Sequence, residues 1–391
     1  GFGAAFEIRG FTFIAGGFAL LGFLCFHPLP AAAQYLVLIL GFSAGADSVA
    51  GLYRALYTAG RNLRTDAWAT LSGRAVFVLF GALALWEGLA LVWVGAAHLC
   101  GNLVTVWFLA RRPPILSTPT FSDKSHQREI RNVLWETAWP LALAEAFTVV
   151  YFRIDQVLIE AFRGAGEVAL YGAAYKLVEG AMVLPAALLI ASFAGLVQRA
   201  KQPALLAKSV STLEAFLLIT AFCGAGFGFV WAPGILTTVF GPPYGEAAPV
   251  LRILMPALVL IYANYLLTQL MVAAKLQRPY LILAAGCAIF NIIANLWAIP
   301  KYGISGAAWT SVGAEMLLLI GAKRVLRPVV SVLALKNTGV GILLGACCTG
   351  VGYGLYFFVG FPWGMIAHFA VCAGCSACAG AILHKRYGPS R

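Results

Sequence analysis

The fold of this chain is decided by residues 151–185, which read YFRIDQVLIEAFRGAGEVALYGAAYKLVEGAMVLP. Two apolar segments flank a short polar turn, and each segment contains charged residues well away from that turn. Arg153 and Asp155 lie in the first segment, and Lys176 and Glu179 lie in the second. An ionisable group inside a membrane costs at least ~2.5 kcal/mol, so it normally faces a partner, a cavity or a solute. The stretch therefore predicts a membrane helix hairpin whose charges are either paired or exposed to a cavity.

The composition extends this interpretation to the whole chain. Hydrophobic residues make up 61% of the sequence and charged residues only 11%, which is far from the balance of a soluble domain. A helix needs roughly 17 to 25 apolar residues to cross ~30 Å of hydrocarbon. The sequence predicts about twelve such spans, at residues 11–27, 34–57, 67–86, 89–110, 133–162, 168–197, 209–230, 247–274, 279–299, 304–322, 338–359 and 363–384. The expected fold class is an all-α polytopic membrane protein.

The net charge of +12 is distributed according to topology. Basic residues collect in alternate connections, at residues 61–64, 111–131, 199–208, 275–278, 323–336 and 385–391, whereas the opposite connections contain only Arg163 and Lys301. This asymmetry follows the positive-inside rule, so both ends of the chain are expected to be cytoplasmic. The basic residues then face anionic membrane lipids, and no nucleic-acid partner is expected.

An internal repeat predicts the domain organisation. Residues 57–97 and 271–311 share a basic loop, a span, a tight turn with Gly and a second span with Trp, which aligns Arg64 with Arg278, Gly88 with Gly303 and Trp93 with Trp309. Both copies begin on the cytoplasmic side, as in two-lobed transporters with parallel repeats. We expect two pseudo-symmetric helical lobes, residues 1–110 and 132–327, a cytoplasmic linker at 111–131 and a C-terminal helix pair at 338–384. The first lobe, which starts at Gly1 without Met, is expected to lack two leading helices.

The depths of the four charges in the hairpin suggest how they are paired. At ~1.5 Å rise per residue, Arg153 is level with Glu179, and Asp155 is level with Lys176. Two interpretations stay open: a buried ion-pair clasp, or a cationic site that lines a cavity and is held by its acids.

Other charged residues have helical spacing. Asp47 and Arg54 are seven residues apart and therefore share a helix face, and Arg74 lies near the depth of Arg54. These residues are candidates for binding an anionic headgroup, with snorkelling to the interface as the alternative explanation. On the outer side, Arg252 is the matching candidate.

A second group of polar residues offers oxygen ligands. Asn291 and Asn295 share a helix face, Glu145 is placed at about the depth of Asn291, and Thr310 follows in the next span together with Ser311 and Glu315. Such groups can hold a sodium ion or relay a proton. Interhelical hydrogen bonds are the alternative.

Three motifs carry a resemblance to a known family: residues 152–185, VFGPPYGEAAPVLRIL at Val239–Leu254, and KLQRP at Lys275–Pro279. In this order the chain resembles bacterial polysaccharide flippases, which move O-antigen and other lipid-linked oligosaccharides, of the multidrug/oligosaccharidyl-lipid/polysaccharide exporter superfamily. The resemblance implies a fourteen-helix, two-lobed protein of the bacterial cytoplasmic (inner) membrane. It further implies transport by alternating access for polysaccharide biosynthesis, with no enzymatic activity and no cofactor besides a coupling Na⁺ or H⁺.

The same resemblance assigns expected roles to residues. The substrate is a polyprenyl-diphosphate-linked glycan, and polysaccharide polymerase machinery is an expected partner. Candidate substrate-binding residues are Arg54, Arg74, Arg153 and Lys176 for the phosphates, Asp155 and Glu179 as their acidic neighbours, and Tyr171 and Tyr175 for the sugar. Candidate cation-coupling residues are Glu145, Asn291, Asn295 and Thr310, with Asn at positions where an acid would strengthen a site.

Two other functions remain as alternatives. A multidrug/cation antiporter of the same superfamily predicts a cavity dominated by acids, whereas the candidates here are at least as basic as acidic. A membrane-embedded glycan polymerase or ligase predicts a large outer catalytic loop. The longest outer connection, residues 231–246, has no His, Lys or Arg and a single acid, Glu246, which is poorly suited to acid–base chemistry.

Overall fold

A computed structural model describes residues 16–18, 20–22, 24–25, 30–59, 63–111, 124–199, 202–329 and 335–387. The regular structure in these ranges is helical throughout. The helices are α1 (Ala31–Ala59), α2 (Leu63–Trp86), α3 (Leu91–Ala110), α4 (Lys124–Arg163), α5 (Ala165–Ala181), α6 (Val183–Arg199), α7 (Pro203–Phe240), α8 (Ala248–Ala273), α9 (Gln277–Leu326), α10 (Leu335–Phe358) and α11 (Trp363–Tyr387), with a 3₁₀ helix at Pro242–Ala247. Eight segments of this part of the chain are long and apolar enough to cross a membrane. The predicted all-α polytopic fold is confirmed.

The chain divides into two compact units, residues 1–135 and 136–391. In the first unit, α3 packs against both α1 and α2. Gly73 and Gly101 permit close contact of α2 with α3, since a Cβ atom on Gly73 would lie 2.5 Å from the carbonyl oxygen of Gly101. The amide of Asn102 on α3 donates to the hydroxyl of Ser43 on α1 at 3.0 Å. Small residues and an interhelical hydrogen bond thus hold these helices together.

In the second unit, α8 is the most deeply buried helix and packs against α5, α6, α7 and α9. The predicted span 168–197 is divided there into α5 and α6, which meet at Met182. Pro185 removes a backbone donor at this point, and the hydroxyl of Tyr262 on α8 donates to the carbonyl of Ala181 at 2.7 Å. The carbonyl group that Pro185 leaves without a backbone donor is therefore still hydrogen-bonded.

Helix α9 contains the two predicted spans 279–299 and 304–322, separated by a kink at Gly303. Gly303 has φ +58° and ψ −144°, a conformation open to glycine and unfavourable for other residues. Arg163 donates from Nε to the carbonyl of Ile299 at 3.2 Å and from Nη2 to that of Pro300 at 2.9 Å. The guanidinium thereby satisfies carbonyls at the end of the first half of α9.

The two C-terminal helices, α10 and α11, both pack on α7. Gly341 and Gly345 of α10 lie against the ring and backbone of Phe222. The indole N–H of Trp231 on α7 donates to Nδ1 of the buried His368 on α11 at 2.9 Å. These contacts make the predicted C-terminal pair an integral part of the second unit's packing.

Replacing Gly303 by Ala is expected to destabilise the protein by about 1 to 3 kcal/mol, because a Cβ atom would force a strained backbone and would lie 3.2 Å from Oε2 of Glu167. Thermal unfolding of the purified protein in detergent measures the effect. Gly286→Ala, in the same helix and with open space around the new Cβ, is the control and should be neutral or slightly stabilising. Equal melting temperatures for the two variants would contradict the role given to Gly303.

Candidate functional site

Three charged side chains form one cluster at the surface of the second unit. Nη1 of Arg153 on α4 lies 2.8 Å from Oε1 of Glu179 on α5, and Nζ of Lys176 lies 2.6 Å from Oε2 of the same carboxylate. The side chains of Arg153 and Lys176 are 49% and 60% exposed, compared with 23% for Glu179. Two cations share one carboxylate, so this cationic triad has a net charge of +1 and presents its cations outward.

The predicted pair of Arg153 with Glu179 is present, whereas the predicted pair of Asp155 with Lys176 is wrong. Successive helical residues are rotated by ~100°, so Arg153 and Asp155 point to nearly opposite sides of α4. Lys176 is three residues from Glu179 on the same face of α5. Depth alone predicted one of the two pairs, and the other fails because helical rotation directs Asp155 into the protein.

Asp155 is fully buried. Its Oδ2 accepts a short hydrogen bond from the hydroxyl of Tyr171 on α5, and its Oδ1 accepts one from the backbone N–H of Gln156 at 2.8 Å. The Tyr171 hydroxyl also lies 3.2 Å from Oγ of Ser311 on α9. Asp155 consequently joins α4, α5 and α9 from within and is not placed to contact a substrate at the surface.

The expected sugar-binding role of Tyr171 and Tyr175 needs the same correction. Their exposed fractions are 0% and 4%, and their rings stack on each other with centroids 5.7 Å apart. Positions 171 and 175 share the face of α5 that packs against the core, on the side away from Lys176. Neither ring offers a surface to a sugar in this structure.

The two halves of α9 are joined by a buried chain of amides and hydroxyls. Nδ2 of Asn295 donates to Oδ1 of Asn291 at 2.7 Å, and Oγ1 of Thr310 donates to Oδ1 of Asn295 at 2.5 Å. Asn291 and Asn295 are fully buried. The structure therefore brings together three of the four predicted coupling residues.

Glu145, the fourth, lies elsewhere. Its side chain is exposed and accepts a hydrogen bond from the hydroxyl of Tyr280 at 3.4 Å. No hydrogen bond among the described residues links it to the asparagines. The depth estimate was wrong because Glu145 lies 17 residues from the end of its predicted span at Phe162, whereas Asn291 lies only eight residues from Ile299.

The buried carboxylate of Glu315, which the sequence grouped with Thr310 but which is not one of the four coupling candidates, lies beside the asparagine chain. Glu315 on α9 is 2% exposed and accepts hydrogen bonds from the hydroxyl of Tyr151 at 3.3 Å and from Nδ2 of Asn264 on α8 at 2.7 Å. A cavity of about 10 Å³ is lined by Asn291, Ser311 and Glu315 together with apolar residues. Such a volume is close to that of a single water molecule. Asn264, an amide in the middle of an apolar helix, is a sequence signal that could have identified this site.

The first unit contains its own charged cluster. Nη1 of Arg54 lies 3.2 Å from Oδ1 of Asp47, as their spacing predicts, and Nε lies 3.5 Å from Oδ1 of Asp66. The contact with Asp66 was not predicted. It places two carboxylates beside the single positive charge of Arg54. Arg74 is exposed and forms no ion pair with a described residue. In the described ranges, no group of three or more His, Cys, Asp or Glu residues is arranged to hold a metal ion.

Tyr171→Phe is expected to lower the free energy of unfolding by about 1 to 3 kcal/mol, because it leaves the buried carboxylate of Asp155 without its side-chain donor. Chemical denaturation in detergent, followed by tryptophan fluorescence, measures the change. Tyr175→Phe is the matched control, since the Tyr175 hydroxyl makes no hydrogen bond to a described residue, and its effect should stay within about 0.5 kcal/mol. A loss that is no larger for Tyr171→Phe than for the control would refute the proposed anchoring role.

Comparison with known proteins agrees with the topology of the described helices. Residues 8–193, just under half of the chain, match the model of the polysaccharide biosynthesis protein family. No curated protein matches the chain in sequence.

Solved structures match the chain in fold. The lipid II flippase MurJ in an inward closed conformation is similar with a TM-score of 0.72 at 14% identity, covering 98% of this chain and 84% of MurJ. An outward-facing multidrug resistance transporter of the MATE family follows, with a TM-score of 0.61 at 15% identity and coverage of 89% and 78%. A MOP superfamily transporter from Pyrococcus furiosus gives 0.60 at 15% identity, with coverage of 89% and 77%. The protein is thus a polytopic all-α membrane protein with the fold of the MurJ and MATE transporters.

Proposed function

We propose that this protein is a flippase that moves a polyprenyl-diphosphate-linked oligosaccharide across a bacterial cytoplasmic membrane by alternating access. The exposed cationic triad of Arg153, Lys176 and Glu179 is the observation that carries the proposal. A diphosphate inside a membrane protein needs cations that can exchange part of their ion pairing with a carboxylate for contacts with the phosphates. Arginine and lysine both bind phosphate strongly. The match of residues 8–193 to the polysaccharide biosynthesis family and the MurJ-like fold support this substrate class.

The triad favours an anionic substrate over the cationic substrates of an antiporter. A cation would meet two exposed positive side chains and one partly shielded carboxylate. In the first unit, Arg54 and Arg74 remain proposed phosphate contacts of that unit, with Arg54 held by Asp47 and Asp66. The glycan polymerase machinery of the same biosynthetic route is the proposed partner for the exported product.

We further propose that the coupling cation, Na⁺ or H⁺, acts through the buried polar network of the second unit. Asn291, Asn295 and Thr310 supply neutral oxygen atoms. Glu315 on α9 and Asp155 on α4, which Tyr171 links to Ser311 of α9, supply carboxylates. Glu145 does not belong to this proposed cation site, because its carboxylate contacts Tyr280 instead.

Charge changes in the triad should alter binding of polyprenyl diphosphate in opposite directions. Arg153→Ala or Lys176→Ala lowers the triad's net charge to zero and should weaken binding, whereas Glu179→Gln raises it to +2 and should strengthen binding by up to about fivefold, as expected for exposed ion pairs. Translocation by both Ala variants in proteoliposomes should fall to background. Glu179→Gln should release its substrate more slowly.

Lys301→Ala removes an exposed cation from a different part of the same unit and serves as the control for net charge. It should bind and translocate like the wild-type protein. Full translocation by both triad Ala variants, at normal membrane levels, would overturn the proposed function.

Asn295→Ala should abolish the stimulation of translocation by whichever gradient drives it, because it removes the amide that links Asn291 to Thr310. Imposing a Na⁺ gradient and a pH gradient separately on proteoliposomes identifies the ion. Binding of polyprenyl diphosphate to the triad should be unchanged. A response to both gradients equal to that of the wild-type protein would contradict the coupling role.

A further inference from the structure

A mainly apolar groove lies on the second unit, away from the cationic triad. Its volume is about 450 Å³, and its walls come from α7, α8, the second half of α9 and α10. The residues that line it are Phe222, Ala225, Gly226, Phe229, Met255, Pro256, Val259, Leu260, Val312, Met316, Gly345, Ala346 and Thr349.

Helical periodicity explains the shape of the groove. The α7 wall is formed by positions 222, 225, 226 and 229, and the α8 wall by 255, 256, 259 and 260. Both sets follow the spacing of one helix face. From position 222 to position 229 there are seven steps along α7, and a rise of ~1.5 Å per residue gives a length of ~10 Å. The groove therefore extends over most of one leaflet's share of a ~30 Å hydrocarbon core.

Arg252 lies at one end of this groove. It is three and four residues before Met255 and Pro256, so it shares the face of α8 that forms the groove wall. Its Nε donates to the carbonyl of Phe229 at 3.1 Å, and its guanidinium carbon lies 5.8 Å from the centre of the Phe229 ring.

The guanidinium retains binding capacity. Neither of its terminal nitrogens makes a hydrogen bond to a described residue, and no described carboxylate lies within ion-pair distance of Arg252. Arg252 lies only four residues after the start of α8, which is the depth of a headgroup at the side predicted to be periplasmic. A cation at this depth is stabilised by an anion at the interface.

We propose that this groove is a binding site for an anionic phospholipid, with one acyl chain between α7 and α8 and the phosphate on the terminal nitrogens of Arg252. The apolar walls exclude a sugar, and the length of the groove matches a chain confined to one leaflet. The guanidinium can form paired, charge-assisted hydrogen bonds with phosphate oxygens. An anionic headgroup is favoured over a zwitterionic one because the zwitterionic headgroup brings a cation of its own close to Arg252. The site is separate from the proposed transport substrate and does not rest on the proposed function.

Native mass spectrometry of the purified protein tests this site with phosphatidylglycerol and phosphatidylcholine as probes. The wild-type protein should retain phosphatidylglycerol preferentially. Arg252→Gln should reduce that retention roughly tenfold, and Arg252→Lys, which keeps the charge but not the paired hydrogen bonds, should give an intermediate reduction. Ala346→Phe, which places a ring in the groove from an exposed position on α10, should reduce retention of both lipids.

Two matched variants control for non-specific effects. Lys301→Gln removes another cation on the same predicted side, and Ala82→Phe adds a ring at an exposed position of α2; both should behave like the wild-type protein. Equal retention of phosphatidylglycerol by Arg252→Gln and the wild-type protein would overturn the proposal. Displacement of phosphatidylglycerol by equimolar polyprenyl phosphate would also overturn it, since the groove would then belong to a polyprenyl lipid.

Discussion

The rotation of α4 between two neighbouring charges determines how the polar groups of the second unit are arranged. Arg153 and Asp155 are separated by one residue, so their side chains leave the helix in nearly opposite directions. Arg153 reaches the surface and meets Glu179, while Asp155 is buried against Tyr171. Because hydrocarbon provides no water to solvate a charge, each side chain requires partners of its own. One helix therefore contributes both to the cationic triad at the surface and to an interior polar network.

The interior network links the broken and kinked helices of the second unit. The Tyr171 hydroxyl joins Asp155 to Ser311, and Thr310 beside it joins Asn295. These bonds connect the hairpin of α4 and α5 to both halves of α9. Buried polar groups are costly unless every member has a partner, so such a network favours one arrangement of the helices over alternatives. Loss of one member should affect the packing of several helices.

Features that depend on position along a single helix could be predicted from the sequence, whereas features that depend on packing between helices could not. Hydropathy predicted the eight segments of the described residues that are long and apolar enough to cross a membrane, and depth predicted the contact of Arg153 with Glu179, because both depend only on distance along a helix. Which side of a helix faces the interior depends on tertiary packing, and this is why Tyr171 and Tyr175 were misassigned to the sugar. A contact between charges on different helices, that of Asp66 on α2 with Arg54 on α1, depends on helix pairing and was missed.

The sharing of Glu179 has a consequence for any anion that binds at the triad. Each oxygen of the carboxylate is already paired with one cation, so an incoming phosphate must compete with Glu179 for Arg153 and Lys176. This competition lowers affinity, but it also keeps both cations paired when the anion leaves, so release does not strand two like charges at the edge of the hydrocarbon. A carrier must bind and release with comparable ease. A triad with one internal acid satisfies that requirement better than a pair of unopposed cations.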